Sequence, residues 1–82
     1  MKERASLNEK VFQIISTIMA VPPASVTIEA TPKTISQWDS LKHMNLILAI
    51  EESFGVSFTD DEVVAIEDAR TLIAVLEGKG AS

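Results

Sequence analysis

Three residues able to do chemistry lie close together in the stretch "QWDSLKHMN", residues 37–45. Asp39, Ser40 and His43 are the residue types of a hydrolase triad. Their spacing is unsuitable, because His43 follows Ser40 by one helical turn and Asp39 is adjacent to the serine rather than behind the imidazole. No glycine-rich loop flanks them to supply an oxyanion hole. We therefore expect His43 to be an exposed or rim residue, and the protein not to be an enzyme.

Two other roles remain open for Ser40. Aspartate and serine are both favoured as helix N-caps, so either Asp39 or Ser40 can cap a helix that begins here. A serine hydroxyl at a helix N-terminus can also be an attachment point. A phosphodiester at that position would meet backbone N–H donors and the positive end of the helix dipole. The residues of this stretch alone do not decide between a cap and a covalent anchor.

Length, charge and cysteine content exclude several classes of protein. The chain has 82 residues, a net charge of −5 and no cysteine. This length predicts a single domain, and the negative charge argues against a nucleic-acid partner. Without cysteine there is no disulfide framework and no thiolate metal site, so any thiol chemistry must come from a cofactor, and we expect no metal site. The longest apolar run, "LILAI", is too short for membrane insertion. We expect a cytoplasmic monomer without a signal peptide.

The first helix and the connection after it have clear boundaries. "SLNE", residues 6–9, is a capping box that predicts a helix start. Pro22 and Pro23 predict that this helix ends near Ala20. Residues 21–38 form a long irregular stretch, which we interpret as an ordered loop attached to the core by a few apolar side chains. Those side chains are Val26, Ile28, Ile35 and Trp38.

Three further helices follow. The second begins at Asp39 or Ser40. It ends at Gly55, a glycine of the kind that commonly follows the last turn of a helix. "TDDE", residues 59–62, opens a short third helix, and Asp68 caps a fourth that ends at Gly78. The predicted fold is an all-α bundle of three longer helices and one short helix, ordered over about residues 6–77 with a frayed tail at 78–82. The predicted apolar face of the second helix contains Leu41, Met44, Ile47, Leu48 and Phe54.

Nearly the whole chain resembles an acyl carrier protein. "WDSLKHMNLILAIEESFGVSFTDDEV" resembles the attachment loop, second helix and short third helix of that family. "EKVFQIISTIMAV" matches the first helix, and "EDARTLIAVLE" matches the fourth. The Asp-Ser-Leu triplet alone is common. It becomes specific when an apolar helix, Glu-Glu-x-Phe-Gly and a capped short helix follow at these intervals.

The resemblance implies a function for Ser40. In the family, the serine after the aspartate carries 4′-phosphopantetheine, which a phosphopantetheinyl transferase moves from coenzyme A. The thiol of this arm holds an acyl group as a thioester and presents it to partner enzymes of fatty-acid, lipid or polyketide-type synthesis. These partners include an acyl-loading ligase or acyltransferase and synthase enzymes. By the same resemblance, Asp39 positions the transferase and its metal, and Leu41 contacts the same partner. The residues implied to shelter an acyl chain are Met44, Ile47, Leu48, Val63 and Ile66.

The sequence departs from the usual carrier pattern around Ser40. Gln37 replaces the usual glycine, and Lys42 and Asn45 occupy positions that are usually acidic. We therefore expect a specialised carrier. Two alternatives stay open, which are an aminoacyl or peptidyl carrier and a non-enzymatic helical interaction domain in which Ser40 is only a cap. The predicted partner contacts are Trp38, Lys42, His43, Asn45, Glu51 and Glu52.

Overall fold

The computed structural model of the protein describes residues 6–81 and contains four α-helices. Three of them are long and one is short, and no strand occurs in this part of the chain. The all-α bundle predicted from the sequence is confirmed. The helices are α1 (Leu7–Met19), α2 (Ser40–Phe54), α3 (Asp60–Ala65) and α4 (Ala69–Gly78).

Local hydrogen bonds define both ends of α1. The Ser6 hydroxyl accepts from the Glu9 N–H at 3.1 Å, and the Glu9 carboxylate accepts from the Ser6 N–H at 3.3 Å. At the other end, Ala20 has a φ of 58° and its N–H donates to carbonyls of the last turn. Pro22, two residues later, cannot continue the helix. The predicted capping box and the predicted end near Ala20 are therefore confirmed.

The predicted apolar face of α2 is buried only in part. Ile47 is buried and Phe54 packs against the core, whereas Leu41, Met44 and Leu48 are exposed. Leu46 and Ile50, which lie outside the predicted face, are also buried. Two apolar stripes at helical spacing therefore run along this helix, and the sequence pattern cannot say which of them the core covers.

The long connection between α1 and α2 is ordered, as predicted. It contains a short 3-10 turn at Pro23–Ser25. The Ala30 carbonyl accepts from the Ala69 N–H at 3.0 Å, which joins the middle of the loop to the start of α4. An ion pair of 2.6 Å between Glu29 and Arg70 spans the same boundary. The loop side chains buried in the core are Val26, Ala30, Ile35 and Trp38.

The hydrogen bonding of α4 continues beyond Gly78. The N–H groups of residues 79–81 donate to carbonyls of the last turn of α4. The expected fraying of residues 78–82 stays a prediction. The Lys79 ammonium also lies 2.8 Å from the Glu62 carboxylate and 5.4 Å from the centre of the Phe58 ring. These contacts tie the C-terminal segment to α3. Ser82 and residues 1–5 lie outside the described residues.

One hydrophobic core connects the four helices and the loop. Within residues 6–81, no helix is both long enough and apolar enough to cross a bilayer. The buried apolar residues contributed by the helices are Val11, Ile15 and Met19 from α1, Leu46, Ile47 and Ile50 from α2, and Ala69, Leu72, Ile73 and Leu76 from α4. Ile66, immediately after α3, is also buried.

Candidate functional site

Asp39 and Ser40 have separate positions at the start of α2. Asp39 is the N-cap, and its carboxylate accepts from the Lys42 N–H at 2.9 Å. Ser40 is the first helical residue and is exposed. No hydrogen bond involves the Ser40 hydroxyl in the described part of the chain. The cap role therefore belongs to Asp39, and the serine oxygen stays accessible at the positive end of a 15-residue helix.

An open cleft of about 840 Å³ lies beside Ser40, between α2 and the α3 region. Its apolar lining includes Trp38, Met44, Val63 and Ile66. Its remaining lining is mostly polar and comes from the loop, the start of α2, α3 and the α3–α4 connection. Those further lining residues are Thr31, Pro32, Lys33, Asp39, Ser40, His43, Val64, Glu67 and Asp68.

His43 bridges two elements across this cleft. The Trp38 indole N–H donates to His43 Nδ1 at 3.1 Å, and His43 Nε2 lies 3.1 Å from the Val63 carbonyl oxygen. A carbonyl can only accept, so Nε2 carries the proton and Nδ1 is the acceptor. We predicted an exposed or rim residue, and His43 is half-buried, with its ring forming this bridge.

The same contacts argue against a catalytic triad. Both ring nitrogens of His43 are engaged with Trp38 and Val63. Within residues 6–81, no hydrogen bond joins the His43 ring to Ser40, and the Asp39 carboxylate bonds to the backbone of α2 instead. A serine nucleophile needs a base within hydrogen-bond reach that a third group orients. That geometry is not formed here.

The predicted partner-contact residues divide into two groups. Asn45 and Glu52 are exposed on α2. Trp38, by contrast, is only 3% exposed and cannot meet a partner surface in this conformation. Two charged residues are engaged within the protein, since Lys42 Nζ donates to the Ile18 carbonyl at 3.3 Å and Glu51 accepts from the Phe58 N–H at 2.8 Å. Their charges are therefore partly used to join α2 to its neighbours.

The residues predicted to shelter an acyl chain divide in a similar way. Met44, Val63 and Ile66 line the cleft together with Ser40. Ile47 is buried in the core, and Leu48 lies exposed on α2. We did not predict the participation of Trp38 and His43 in this cleft. The sequence did contain a sign of this contact, because a tryptophan and a histidine lie on either side of the Asp-Ser-Leu triplet, near the start of a predicted helix.

An apolar stripe borders the serine on the outer surface. Leu41, Met44 and Leu48 follow one another at helical spacing and are 70%, 48% and 58% exposed. The stripe begins immediately after Ser40 and continues for two turns of α2. A contiguous exposed apolar stripe is typical of an interaction surface. Leu41 is the residue of this stripe that lies next to Ser40 in the sequence.

Two carboxyl groups near the cleft have perturbed pKa values. Hydrogen bonds from Thr71 hold the pKa of Asp68, the N-cap of α4, below its ordinary range. The Lys79 side chain and the Thr59 N–H lower the pKa of Glu62. Both groups are stabilised as carboxylates by direct donors. Within residues 6–81, no group of three His, Cys, Asp or Glu side chains is arranged to hold a metal ion.

Comparison with known proteins identifies chains that are similar to this one over most of their length. No family model matches the chain. An acyl carrier protein from Amoebophilus asiaticus is 34% identical over 73 residues, which covers 89% of this chain and 91% of the relative. An acyl carrier protein from Solidesulfovibrio magneticus is 35% identical over 90% of this chain and 95% of the relative.

A third relative extends the match to almost the full length. An acyl carrier protein from Thermosynechococcus vestitus is 30% identical over 79 residues, or 96% of this chain and 98% of the relative. Each aligned region is long enough to include all four helices and the cleft beside Ser40. The helical architecture predicted for such a carrier is also the one observed. The chain therefore belongs to the acyl carrier protein family.

Proposed function

We propose that this protein carries an acyl group as a thioester on a 4′-phosphopantetheine arm attached to Ser40. A phosphopantetheinyl transferase forms the phosphodiester between the serine oxygen and the arm, and coenzyme A is the donor. The thiol of the arm then holds the acyl group. The carrier catalyses nothing itself. It works as a monomer in the cytoplasm and delivers its cargo to enzymes of fatty-acid, lipid or polyketide-type synthesis.

The position of Ser40 is the observation that carries this proposal. Its hydroxyl is exposed on the first residue of α2, while Asp39 already caps the helix. A phosphodiester on this oxygen lies at the positive end of the α2 dipole, which favours a negative group. The absence of cysteine from the sequence fits a chain whose working thiol belongs to its prosthetic group. Asp39 keeps its proposed second role in positioning the transferase and its metal.

The cleft and the outer stripe support two further parts of the proposal. The apolar floor formed by Met44, Val63 and Ile66 begins beside Ser40, so an acyl chain on the arm can fold back onto it. The stripe of Leu41, Met44 and Leu48 provides an apolar surface for the transferase, a loading ligase or acyltransferase, and synthase enzymes. Met44 belongs to both surfaces.

Attachment of the arm is tested by mass measurement. We expect the intact mass of the full chain to increase by one phosphopantetheine after incubation with coenzyme A and a broad-specificity transferase. Ser40→Ala should abolish this increase, because the variant lacks the accepting oxygen. Ser36→Ala is the matched control, since Ser36 is an exposed serine in the loop that precedes α2.

The outcomes separate a carrier from a plain interaction domain. Modification of the wild type and of Ser36→Ala, but not of Ser40→Ala, supports the proposal. If the wild type gains no mass while a known carrier does so in the same reaction, the carrier function is excluded. A mass gain that persists in Ser40→Ala excludes Ser40 as the anchor.

A further inference from the structure

The cleft between α2 and the α3 region offers little apolar surface that is open to solvent. Trp38 and Ile66 line it but are only 3% and 1% exposed. Most of the accessible apolar surface therefore comes from Met44, Val63 and Val64, of which Met44 is 48% and Val64 is 76% exposed. A hydrocarbon chain in this cleft can cover only these few side chains unless it reaches the core.

A hydrogen-bonded bridge separates the cleft from the core. The Trp38 indole N–H donates to His43 Nδ1, and His43 Nε2 donates to the Val63 carbonyl oxygen, each at 3.1 Å. The Trp38 and His43 rings also stack, with their centroids 6.3 Å apart. All three residues line the cleft, while Trp38 belongs to the core and Val63 packs against it. The bridge therefore runs from the loop through α2 to α3, across the way from the cleft into the core.

A hydrocarbon chain can part this bridge only at a high cost. It has no donor or acceptor, so it would leave the Trp38 indole N–H and the Val63 carbonyl oxygen unpaired. The cost of each unpaired buried group equals the gain from burying roughly one to four methylenes. The core offers no space in which to recover this cost, because Leu46, Ile50 and Leu72 are 0% exposed. A short chain on the surface of the cleft avoids the cost altogether.

We propose that the Trp38–His43–Val63 bridge limits the length of the acyl chain that the cleft shelters, so that a short chain lies in the cleft and the rest of a longer one stays in solvent. His43 is the specificity-determining residue, since it makes both hydrogen bonds of the bridge. That the sheltered chain is the cargo of Ser40 rests on the proposed function. The limit itself is a property of the cleft and can be measured without the prosthetic group.

Alkyl chains attached directly at position 40 test the length limit. The sequence contains no cysteine, so Ser40→Cys gives the full chain a single thiol at a residue that lines the cleft. Its thiolate displaces methanesulfinate from an alkyl methanethiosulfonate and forms a mixed disulfide. Urea unfolding then compares methyl, butyl and octyl groups. Ser36→Cys with the same groups is the matched control, because Ser36 is exposed in the loop that precedes α2 and lies outside the lining of the cleft.

We expect the stabilisation to stop at a short chain. From methyl to butyl, each methylene that leaves water should lower the unfolding equilibrium constant of Ser40→Cys by at most about fourfold. From butyl to octyl this constant should not change, and in Ser36→Cys it should not depend on the length of the alkyl group. The chain has one tryptophan, so the indole N–H signal of Trp38 is unambiguous, and it should be the same with butyl and octyl.

Two variants in the Ser40→Cys background assign the limit to His43. His43→Gln carries a donor and an acceptor on one amide, so it preserves the chemistry of the bridge and should keep the limit. His43→Ala removes the bridge and leaves a gap between Trp38 and Val63. Its unfolding equilibrium constant should therefore keep falling from butyl to octyl, and its indole signal should move with the length of the alkyl group.

Every outcome bears on the length limit. No gain from methyl to butyl overturns it, and so does a continued gain from butyl to octyl beyond that of Ser36→Cys. A limit that persists in His43→Ala overturns the role of His43. If His43→Ala does not fold, the Ser40→Cys chain still decides the question, because an alkyl group that parts the bridge must displace the indole signal.

The test is independent of the attachment of the arm. Coenzyme A and the transferase take no part in it, so a failed length limit leaves the proposed anchor at Ser40 unaffected. Conversely, a chain that accepts no arm can still show the limit.

Discussion

Two adjacent residues at the start of α2 perform different tasks. Asp39 accepts the Lys42 N–H with its carboxylate and closes the first turn. Ser40 follows it as the first helical residue, and its side chain is exposed. The sequence left the identity of the cap open between these residues. Its assignment to Asp39 matters for function, because a serine that capped the helix would have its oxygen engaged with the backbone.

Substitutions of Asp39 can separate its cap role from its proposed role with the transferase. Asp39→Ala should lower the free energy of unfolding by about 1 kcal/mol, the usual cost of losing an N-cap. Asp39→Ser keeps a capping oxygen and should keep most of that stability. Both variants lack the carboxylate, so both should accept the arm more slowly. Urea unfolding measures the first effect, and kcat/KM of the transferase with each variant measures the second.

One result would contradict this division of roles. If Asp39→Ser is modified at the wild-type rate while Asp39→Ala is slow, the carboxylate matters only as a cap. If both variants are modified at the wild-type rate, Asp39 has no part in the transferase reaction.

At the scale of elements, caps and side-chain links hold the C-terminal half of the molecule together. Asp68 caps α4 by accepting from the Thr71 N–H at 2.7 Å, and this hydrogen bond lowers its pKa. The start of α4 is also joined to the long loop through Ala30 and Ala69. The orientation of α4 therefore depends on Asp68 and on loop contacts that are distant in sequence.

The Asp68 cap predicts a particular dependence of stability on pH. Its pKa is lower in the folded chain than in the unfolded chain, so its contribution is present at neutral pH. That contribution is lost as the pH falls below about 4, through the folded pKa. Asp68→Asn keeps a capping oxygen that does not titrate. We therefore expect the free energy of unfolding to fall less between pH 5 and pH 3 in Asp68→Asn than in the wild type.

Urea unfolding at several pH values checks this expectation. Glu67→Gln is the control, because it removes the same charge from an exposed neighbour that is not the cap. Equal acid sensitivity of the wild type and Asp68→Asn would show that the cap does not contribute to the pH dependence.

At the scale of the whole molecule, the proposed docking surface is the exposed apolar stripe of Leu41, Met44 and Leu48. Its flank carries the exposed Asn45, at a position where the resemblance implies an acid in carriers of general fatty-acid synthesis. A specialised set of partners stays a prediction. Lys42 also adds positive charge, although its ammonium is bonded to the Ile18 carbonyl. Charged groups at a docking surface mainly affect encounter rate and partner choice.

Asn45→Glu tests this interpretation without disturbing the fold. Asn45 is exposed, whereas a change at Lys42 would also remove its hydrogen bond to α1. We expect the variant, once it carries the arm, to be used several-fold faster than the wild type by a general fatty-acid enzyme with a basic docking surface. The gain should shrink at high salt, because screening weakens exposed charges.

Asn8→Glu is the matched control for total charge. Asn8 is an exposed asparagine on α1, so this variant adds the same charge away from the docking stripe. An equal gain in both variants would indicate that net charge, not the local surface, governs recognition. A wild type already used at the full rate would contradict the idea of a specialised carrier.

Several features of this protein could be predicted from the sequence because they depend on residues within about one helical turn. The capping boxes at Ser6 and Thr59, the aspartate cap of α4 and the end of α2 at Gly55 are all made by local hydrogen bonds or local backbone geometry. Their residue types specify the helix boundaries almost completely. The sequence therefore determined the fold class, the family and the position of Ser40 at a helix start.

Other features were decided only by the tertiary structure. Packing on α1 and the rest of the core selects which apolar stripe of α2 is buried, so Leu41 and Leu48 face outward although their residue types resemble those of the core. The bridge from Trp38 through His43 to Val63 joins residues up to 25 positions apart, because Val63 is that far from Trp38 in the sequence. Such contacts depend on how helices meet in space, which no local pattern encodes.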